Sequence, residues 1–172
     1  MIPALFLDLD STVRYCAHPK QPCPNNIEDI RIYPKVVDKI KDFKNAGFGI
    51  FGVSNQGGIE LGHLTEEKCK ELMDATNEMM DFVFDKIVWA SKMDSFMRKP
   101  NPGMIFNLQK EYDINLKASI MVGDKSSDHI CAINAGIPQF FYARDFFAEG
   151  HLYVERQNIM TIDKDGIQTH GY

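Results

Sequence analysis

The sequence predicts an α/β fold: a Rossmann-like, three-layer α/β/α arrangement around a central parallel sheet, with no large cap domain. Three observations predict it. Short apolar runs alternate with segments of helical period along most of the chain, the pattern of strands joined by crossover helices. The runs end in polar or charged clusters, as strands do whose C-terminal edges bind ligands in an open parallel sheet. Glycines at Gly47 and Gly136 close two of the helical segments just before the next apolar run begins, as helix C-terminal glycines do.

The first run, Ala4-Leu5-Phe6-Leu7, leads into Asp8-Leu9-Asp10-Ser11-Thr12. It is short, bounded and rich in Leu and Phe, as a buried strand is. Asp8 and Asp10 then fall at its C-terminal edge, where open parallel sheets bind ligands. Two acids this close repel unless a cation or a proton lies between them. Mg²⁺ is a hard cation suited to such oxygens, and a carboxylate can attack phosphorus. Taken alone, Asp-x-Asp fits a turn with capping acids equally well.

The segment Val13 to Ile32 is polar, carries Pro19, Pro22 and Pro24, and has no clear period, so a loop or small flap is expected. Cys16, His18 and Cys23 lie in it, but their spacing matches no closed zinc site and a fourth ligand is missing. Pro34 suits the start of a helix, with Val36, Val37, Ile40 and Phe43 at helical spacing and an end at Asn45-Ala46-Gly47. Phe48 to Val53 is the second strand. It runs into Ser54-Asn55-Gln56-Gly57-Gly58, a composition that can cradle an anion and that also makes a plain glycine turn.

Thr65 is a good N-cap, followed by Glu66 and Glu67 in the first turn. The helix is expected to run to about Phe84 with a face of Cys69, Leu72, Met73, Thr76, Met79, Met80 and Val83, the methionines serving as core filler. Lys86 to Ala90 is the third strand, with Trp89 assigned to the core. Ser91 to Phe96 is a loop before Arg98-Lys99-Pro100-Asn101-Pro102, whose prolines stiffen the backbone and hold a lysine at low entropic cost. Pro102 starts a helix carrying Met104, Ile105, Leu108 and Tyr112. Ser119 to Val122 is the fourth strand, followed by Gly123-Asp124 and by Asp128, which can cap the next helix. Ile137 to Tyr142 is the fifth strand. Beyond Ala143 the pattern weakens: a short helix over Asp145 to Glu149, an edge strand over Leu152 to Ile162 and mobile last residues are expected.

The length of 172 residues fits one domain, with a core over 4–142 and an extension over 143–172. A net charge of −5 argues against a nucleic-acid or anionic-membrane binder. No apolar run approaches the roughly 18 residues that span a bilayer, and no signal pattern is seen. Cys16, Cys23, Cys69 and Cys131 form no disulfide framework. A cytoplasmic monomer is expected. Asp8/Asp10, Ser54/Asn55, Arg98/Lys99 and Asp124/Asp128 all follow predicted strands, and right-handed crossovers bring such edges together.

On these residues the chain resembles the haloacid dehalogenase superfamily of phosphatases, over residues 4–142. Asp8-Leu-Asp10-Ser-Thr12 matches its first motif, Ser54 its second, Lys99 its third, and Gly123-Asp124 with Asp128 its fourth. Ser-Asn-Gln with a glycine pair, Leu64-Thr65-Glu66-Glu67 and Arg98-Lys99-Pro100-x-Pro102-Gly103-Met104 are similar to the capless histidinol-phosphate and heptose-bisphosphate phosphatases, and to the phosphatase domain of polynucleotide kinase-phosphatases. Two departures stand out. Ser11 replaces a usual glycine, and Ser91 to Met97 lacks the Cys/His zinc loop of the histidinol and heptose enzymes, so no zinc is expected.

The resemblance implies a phosphomonoester hydrolase with Asp8 as nucleophile, forming an aspartyl-phosphate. Asp10 would be the general acid/base, its pKa raised by crowding with other carboxylates. Mg²⁺ would be held by Asp8, the main-chain carbonyl of Asp10 and Asp124, with Thr12 and Asp128 in secondary roles. Ser54, the N–H of Asn55 and Lys99 would hold the phosphoryl oxygens, and Arg98 would touch the substrate. The expected substrate is a small phosphorylated metabolite such as a sugar (bis)phosphate or histidinol phosphate. A polynucleotide 3′-phosphatase and a non-catalytic module binding a phosphorylated ligand are the alternatives.

Overall fold

The computed structural model describes residues 1–164. In chain order the elements are β1 (Ala4–Leu7), β2 (Arg14–Cys16), β3 (Ile30–Ile32), α1 (Val36–Asn45), β4 (Gly49–Asn55), α2 (Glu66–Met79), β5 (Lys86–Ala90), α3 (Gly103–Tyr112), β6 (Ile120–Gly123), α4 (Ser126–Ala135), β7 (Gln139–Tyr142), α5 (Ala143–Phe146) and α6 (Ala148–Lys164).

Five strands form a parallel sheet in the order β5-β4-β1-β6-β7. The fully apolar β1 is central because both its faces are covered. Leu5 and Leu7 point into one core with Val36 and Ile40 of α1, Cys69 and Met73 of α2, and Phe146. Ala4 and Phe6 point the other way, into a core with Met104, Ile105 and Leu108 of α3 and Cys131 and Ala132 of α4. This is the period-two alternation of a strand buried between two helical layers. From β1 the chain moves outward through β4 to β5, then returns to β6 on the opposite side. Strand order reverses at β1, and ligands of such sheets bind beyond the C-terminal ends at that reversal.

The segment after Thr12 is a small antiparallel pair, β2 with β3, joined through a stretch that includes a single 3₁₀ turn at Ile27–Asp29. Among the described residues there is no cap domain. Thr65 caps α2 by accepting from the Lys68 N–H at 3.1 Å. Gly136 ends α4 in the left-handed region, at φ +77°.

Several boundaries differ from the sequence expectation. Helix α1 starts two residues after Pro34, because Lys35 takes a left-handed φ of 70° and delays the first helical residue. Helix α2 stops at Met79 and does not reach Phe84. The Asn77 side chain exchanges hydrogen bonds with the Phe84 main chain, and Asp81 and Phe82 turn left-handed. Met79 is accordingly exposed, while Met73 and Met80 are buried as expected. Trp89 is half-buried against the first core and donates its indole N–H to Glu66 at 3.0 Å.

The predicted edge strand over Leu152 to Ile162 is wrong: these residues lie within α6. The buried residues Phe147, His151 and Val154 recur at a spacing of four and three, which is a helical stripe. The short helix expected at Asp145–Glu149 is replaced by α5 and the first turn of α6. The expectation for the last residues falls on 165–172, outside the described part. Helix α6 sits so close to the chain before α1 that a Cβ on Gly150 would lie 2.0 Å from the Pro34 carbonyl oxygen. The His151 ring stacks on Tyr33 at 3.8 Å and places Nε2 2.9 Å from the Thr12 carbonyl oxygen. No helix among the described residues is long and apolar enough to cross a membrane.

Candidate active site

The ladder of β1 continues one residue past its end, with Asp8 N–H donating to the Val122 carbonyl at 3.0 Å. The chain then closes a tight turn in which the N–H groups of Thr12, Val13 and Arg14 all reach the Leu9 carbonyl, at 3.0–3.1 Å. Ser11 takes φ +64° within it, a conformation that glycine adopts without cost. This explains physically why glycine suits the position. The turn folds Thr12 back so that its hydroxyl donates to Asp8 Oδ2 at 3.2 Å.

Lys99 meets Asp8 from the other side. Its Nζ lies 2.8 Å from Asp8 Oδ1 and 2.6 Å from Asp128 Oδ1, and donates to the Val53 carbonyl at 2.7 Å. Asn55 fixes the lysine backbone from both sides: its Nδ2 donates to the Lys99 carbonyl and its Oδ1 accepts the Lys99 N–H, each at 2.9 Å. Asp128 also caps α4, its Oδ2 accepting from the N–H groups of Asp124 and Lys125 at 3.1 and 3.0 Å. Gly123 makes this crossing possible, since a Cβ there would fall 2.4 Å from the Asp128 side chain. Gly123→Ala is expected to cost about 1–3 kcal/mol, read as a lower urea midpoint. An unchanged midpoint would mean that Asp128 has room to move.

Asp8, Asp124 and Asp128 bring carboxylate oxygens within 4.8 Å of one another. Three carboxylates face one ammonium, leaving two negative charges uncompensated when all are ionised. Burial pushes the Asp8 carboxyl up to about 6, with Lys99 opposing and Asp124 adding to the rise. Burial likewise raises Asp124 and Asp128. Burial alone would depress Lys99, but attraction to Asp8 and Asp128 outweighs it and raises the lysine. The buried Oδ1 of Asp124 has no hydrogen-bond partner. Two missing positive charges and an unpartnered carboxylate oxygen fit a divalent cation with oxygen ligands.

Asp10 has different surroundings from those expected. Its carboxylate is not part of the group that Asp8, Asp124 and Asp128 form. It accepts from Arg14 Nε at 2.8 Å and Gln56 Nε2 at 2.9 Å, and the same Gln56 nitrogen donates to Ser54 Oγ at 2.8 Å. The turn at Ser11 brings Arg14 back under Asp10, so a cation stands where other carboxylates were anticipated. Arg14 and Gln56 were not singled out from sequence. Gln56 stood within the glycine turn, and a lone arginine in a polar segment carries no periodic signal.

The floor of a cleft of about 560 Å³ includes Asp8, Asp10, Ser54, Asn55, Lys99, Asp124 and Asp128. Arg98 lines it beside Gly57, with Nη1 buried and unpartnered. The loop Ser91–Met97 is fastened to the opposite rim by carboxylates: Glu66 accepts from the Ser91 hydroxyl and Glu60 from the Met93 N–H. Hydrogen bonds from Ser91 and Trp89 hold the Glu66 carboxyl below its usual range. In the β2–β3 segment, His18 pairs with Asp29 at 3.0 Å, and the Cys16 thiol donates to Gln21 at 3.6 Å. Cys16, His18 and Cys23 are not gathered into a metal-binding group.

Comparison with known proteins agrees with this geometry. The family described as polynucleotide kinase 3 phosphatase matches residues 4–150. A D-glycero-alpha-D-manno-heptose-1,7-bisphosphate 7-phosphatase of Photorhabdus laumondii is 31% identical over 83% of this chain and 83% of its own. The D-glycero-beta-D-manno-heptose-1,7-bisphosphate 7-phosphatase of Escherichia coli K12 is also 31% identical, over 79% of this chain and 76% of its own. Among solved structures, a HAD-like phosphatase from Mesorhizobium loti superposes with a TM-score of 0.73 at 28% identity, covering 81% of this chain and 71% of that one. A heptose-bisphosphate phosphatase from B. bronchiseptica, complexed with magnesium and phosphate, shares the fold with a TM-score of 0.73 at 21% identity and 87% coverage of each chain. With its acids and its lysine gathered at the C-terminal edge of the sheet and these relatives on either side, the chain belongs to the polynucleotide kinase 3 phosphatase family of the haloacid dehalogenase superfamily and is a phosphatase of the heptose-bisphosphate phosphatase type.

Proposed function

We propose that the protein is a Mg²⁺-dependent phosphomonoester hydrolase of a small phosphorylated metabolite, working through an aspartyl-phosphate. The observation that carries this reading is the meeting of Asp8, Lys99, Asp124 and Asp128 on the cleft floor. An oxygen of Asp8 attacks phosphorus, the bond to the alcohol oxygen breaks, and Asp10 gives that oxygen a proton. Asp10 then takes a proton from the water that attacks phosphorus, which releases phosphate and restores Asp8. Ser54, the N–H of Asn55 and Lys99 hold the phosphoryl oxygens, whose charge grows during transfer. Thr12 fixes the Asp8 carboxylate and Asp128 fixes Lys99.

Asp8, the main-chain carbonyl of Asp10 and Asp124 would hold Mg²⁺. The ion supplies positive charge that screens these acids from the phosphate. Ser91–Met97 offers no Cys or His to hold a zinc ion, and the loop is tied by Glu60 and Glu66.

Arg98 contacts the substrate beyond the phosphoryl group. A sugar bisphosphate is the leading class, supported by the heptose-1,7-bisphosphate relatives. A nucleic-acid 3′ end is the second reading, supported by the family match. The acidic balance weighs against it. Unpaired thiols at Cys16, Cys23, Cys69 and Cys131 suit the cytoplasm.

Phosphate release measured with and without Mg²⁺ tests the proposal, on sugar phosphates, sugar bisphosphates, histidinol phosphate and a 3′-phosphorylated oligonucleotide. Mg²⁺-dependent release, fastest on a bisphosphate, is expected. Preference for the oligonucleotide would replace the metabolite reading. Silence across the panel with Mg²⁺ bound would favour a binding module.

A further inference from the structure

Arg14 is buried to 1% exposure, yet its guanidinium has a partner at the reaction centre. Its Nε donates to Asp10 Oδ1 at 2.8 Å and its Nη2 faces Oδ2 at 3.4 Å. Nη1 donates to the Thr76 hydroxyl at 2.7 Å, and that hydroxyl donates in turn to the Leu72 carbonyl at 2.7 Å. On the far side of Asp10, Gln56 links Oδ2 to Ser54. An unbroken chain of hydrogen bonds therefore runs from the backbone of α2 through Arg14 to Asp10, and on to the end of β4. Asp10 itself is only partly buried, with its side chain 18% exposed to the cleft.

Burying a guanidinium is costly unless its partners repay the lost hydration. A two-pronged fork on a carboxylate fixes both the position and the plane of that group, which a lysine's point charge does not. Proton transfer at a breaking bond needs the carboxylate held within hydrogen-bond reach and in the right plane. We infer that Arg14 is the positioning residue of Asp10, aiming the acid/base carboxylate at the leaving oxygen, and that Thr76 braces Arg14 against α2. This rests on the assignment of Asp10 proposed above.

The measurement is kcat/KM with saturating Mg²⁺ on two kinds of ester. An alkyl phosphate leaves as an alkoxide that needs a proton, whereas p-nitrophenyl phosphate leaves as a stable phenolate that does not. Arg14→Met is expected to lower kcat/KM on the alkyl ester about 100-fold, a typical share of general acid catalysis. The loss on the aryl ester should be at least several-fold smaller. Arg14→Lys should recover part of the alkyl activity, and Thr76→Val should give a milder loss with the same bias.

A merely structural role would reduce the number of competent molecules and lower both esters equally. Equal losses in these variants, or none, would overturn the inference. Circular dichroism and the stoichiometry of vanadate binding report the folded, competent fraction. If Arg14→Met does not fold, Arg14→Lys and Thr76→Val decide. Asp10→Asn should show the same bias against the alkyl ester in full; equal losses on both esters in that variant would refute the acid assignment instead, so the two failures are distinguishable.

Discussion

Asp8→Asn is expected to lower turnover by about 10⁴-fold or more, because an amide cannot form the acyl-phosphate link that splits the reaction into two easier steps. The same change should leave the fold intact and relieve it of an unfavourable charge. Burial holds the Asp8 carboxyl near 6, above its ordinary 3.8. A carboxyl raised in this way binds its proton more tightly in the folded chain than in the unfolded one. Its contribution to stability is therefore full below pH 3.8 and is lost as pH rises through about 6.

Without metal, the wild-type protein should lose stability between pH 4 and pH 7 more steeply than the Asp8→Asn variant. At pH 7.5 the variant should melt at the same temperature or higher. Thermal melts in a chelating buffer across that range measure the difference. Added Mg²⁺ should narrow the gap by stabilising the wild type more. Full turnover in the variant would sink the nucleophile assignment. A variant with a steeper pH dependence than wild type would sink the electrostatic account.

Lys99→Met has the largest expected effect on stability. It removes the ammonium that Asp8 and Asp128 share and leaves the Val53 carbonyl without that donor. Breaking a buried pair from one side costs about 3–5 kcal/mol, because the remaining charge is stranded. The urea midpoint at pH 7 should fall accordingly, and catalysis should be lost with it. Lowering the pH to 5 should return part of the stability, since the stranded carboxyls then accept protons. Lys99 itself is raised in the folded state, so its own contribution is fully present below 10.5 and does not change between pH 5 and 7. A midpoint that does not move on losing Lys99 would show that water or a cation already compensates those acids.

The residues that were legible in the sequence share one property: they follow an apolar run directly or at a stiffened step. Asp8 and Asp124 each sit one residue beyond a buried strand, so strand position alone predicts where those two gather, while Lys99 comes later, on the proline-stiffened loop between β5 and α3. Arg14 was not legible. It acts by curling back through a turn with Ser11 at positive φ, and its partner Thr76 is 62 residues away. The crowding expected at Asp10 falls on Asp8, Asp124 and Asp128 because Asp10 turns toward that arginine.

The C-terminal segment differs from its sequence pattern for another reason. Leu152, Tyr153 and Val154 look like strand residues, but burial of His151 and Val154 on one side, with His151 stacked on Tyr33, selects a helix. The end of α2 was overrun because Met80, Val83 and Phe84 continue the apolar face, while the termination comes from a side chain, Asn77, reaching across the turn.

The contact between His151 and the Thr12 carbonyl spans 139 residues of chain. Thr12 belongs to the turn that also carries Asp10, so the earliest part of the site to be synthesised waits for one of the latest to hold it. Closing so long a loop is entropically slow compared with the local steps that build each strand and helix. On the ribosome, the sheet edges can assemble while the catalytic turn still lacks its brace. Competence would then arrive as a late event of biogenesis, set by the docking of α6 rather than by completion of the sheet.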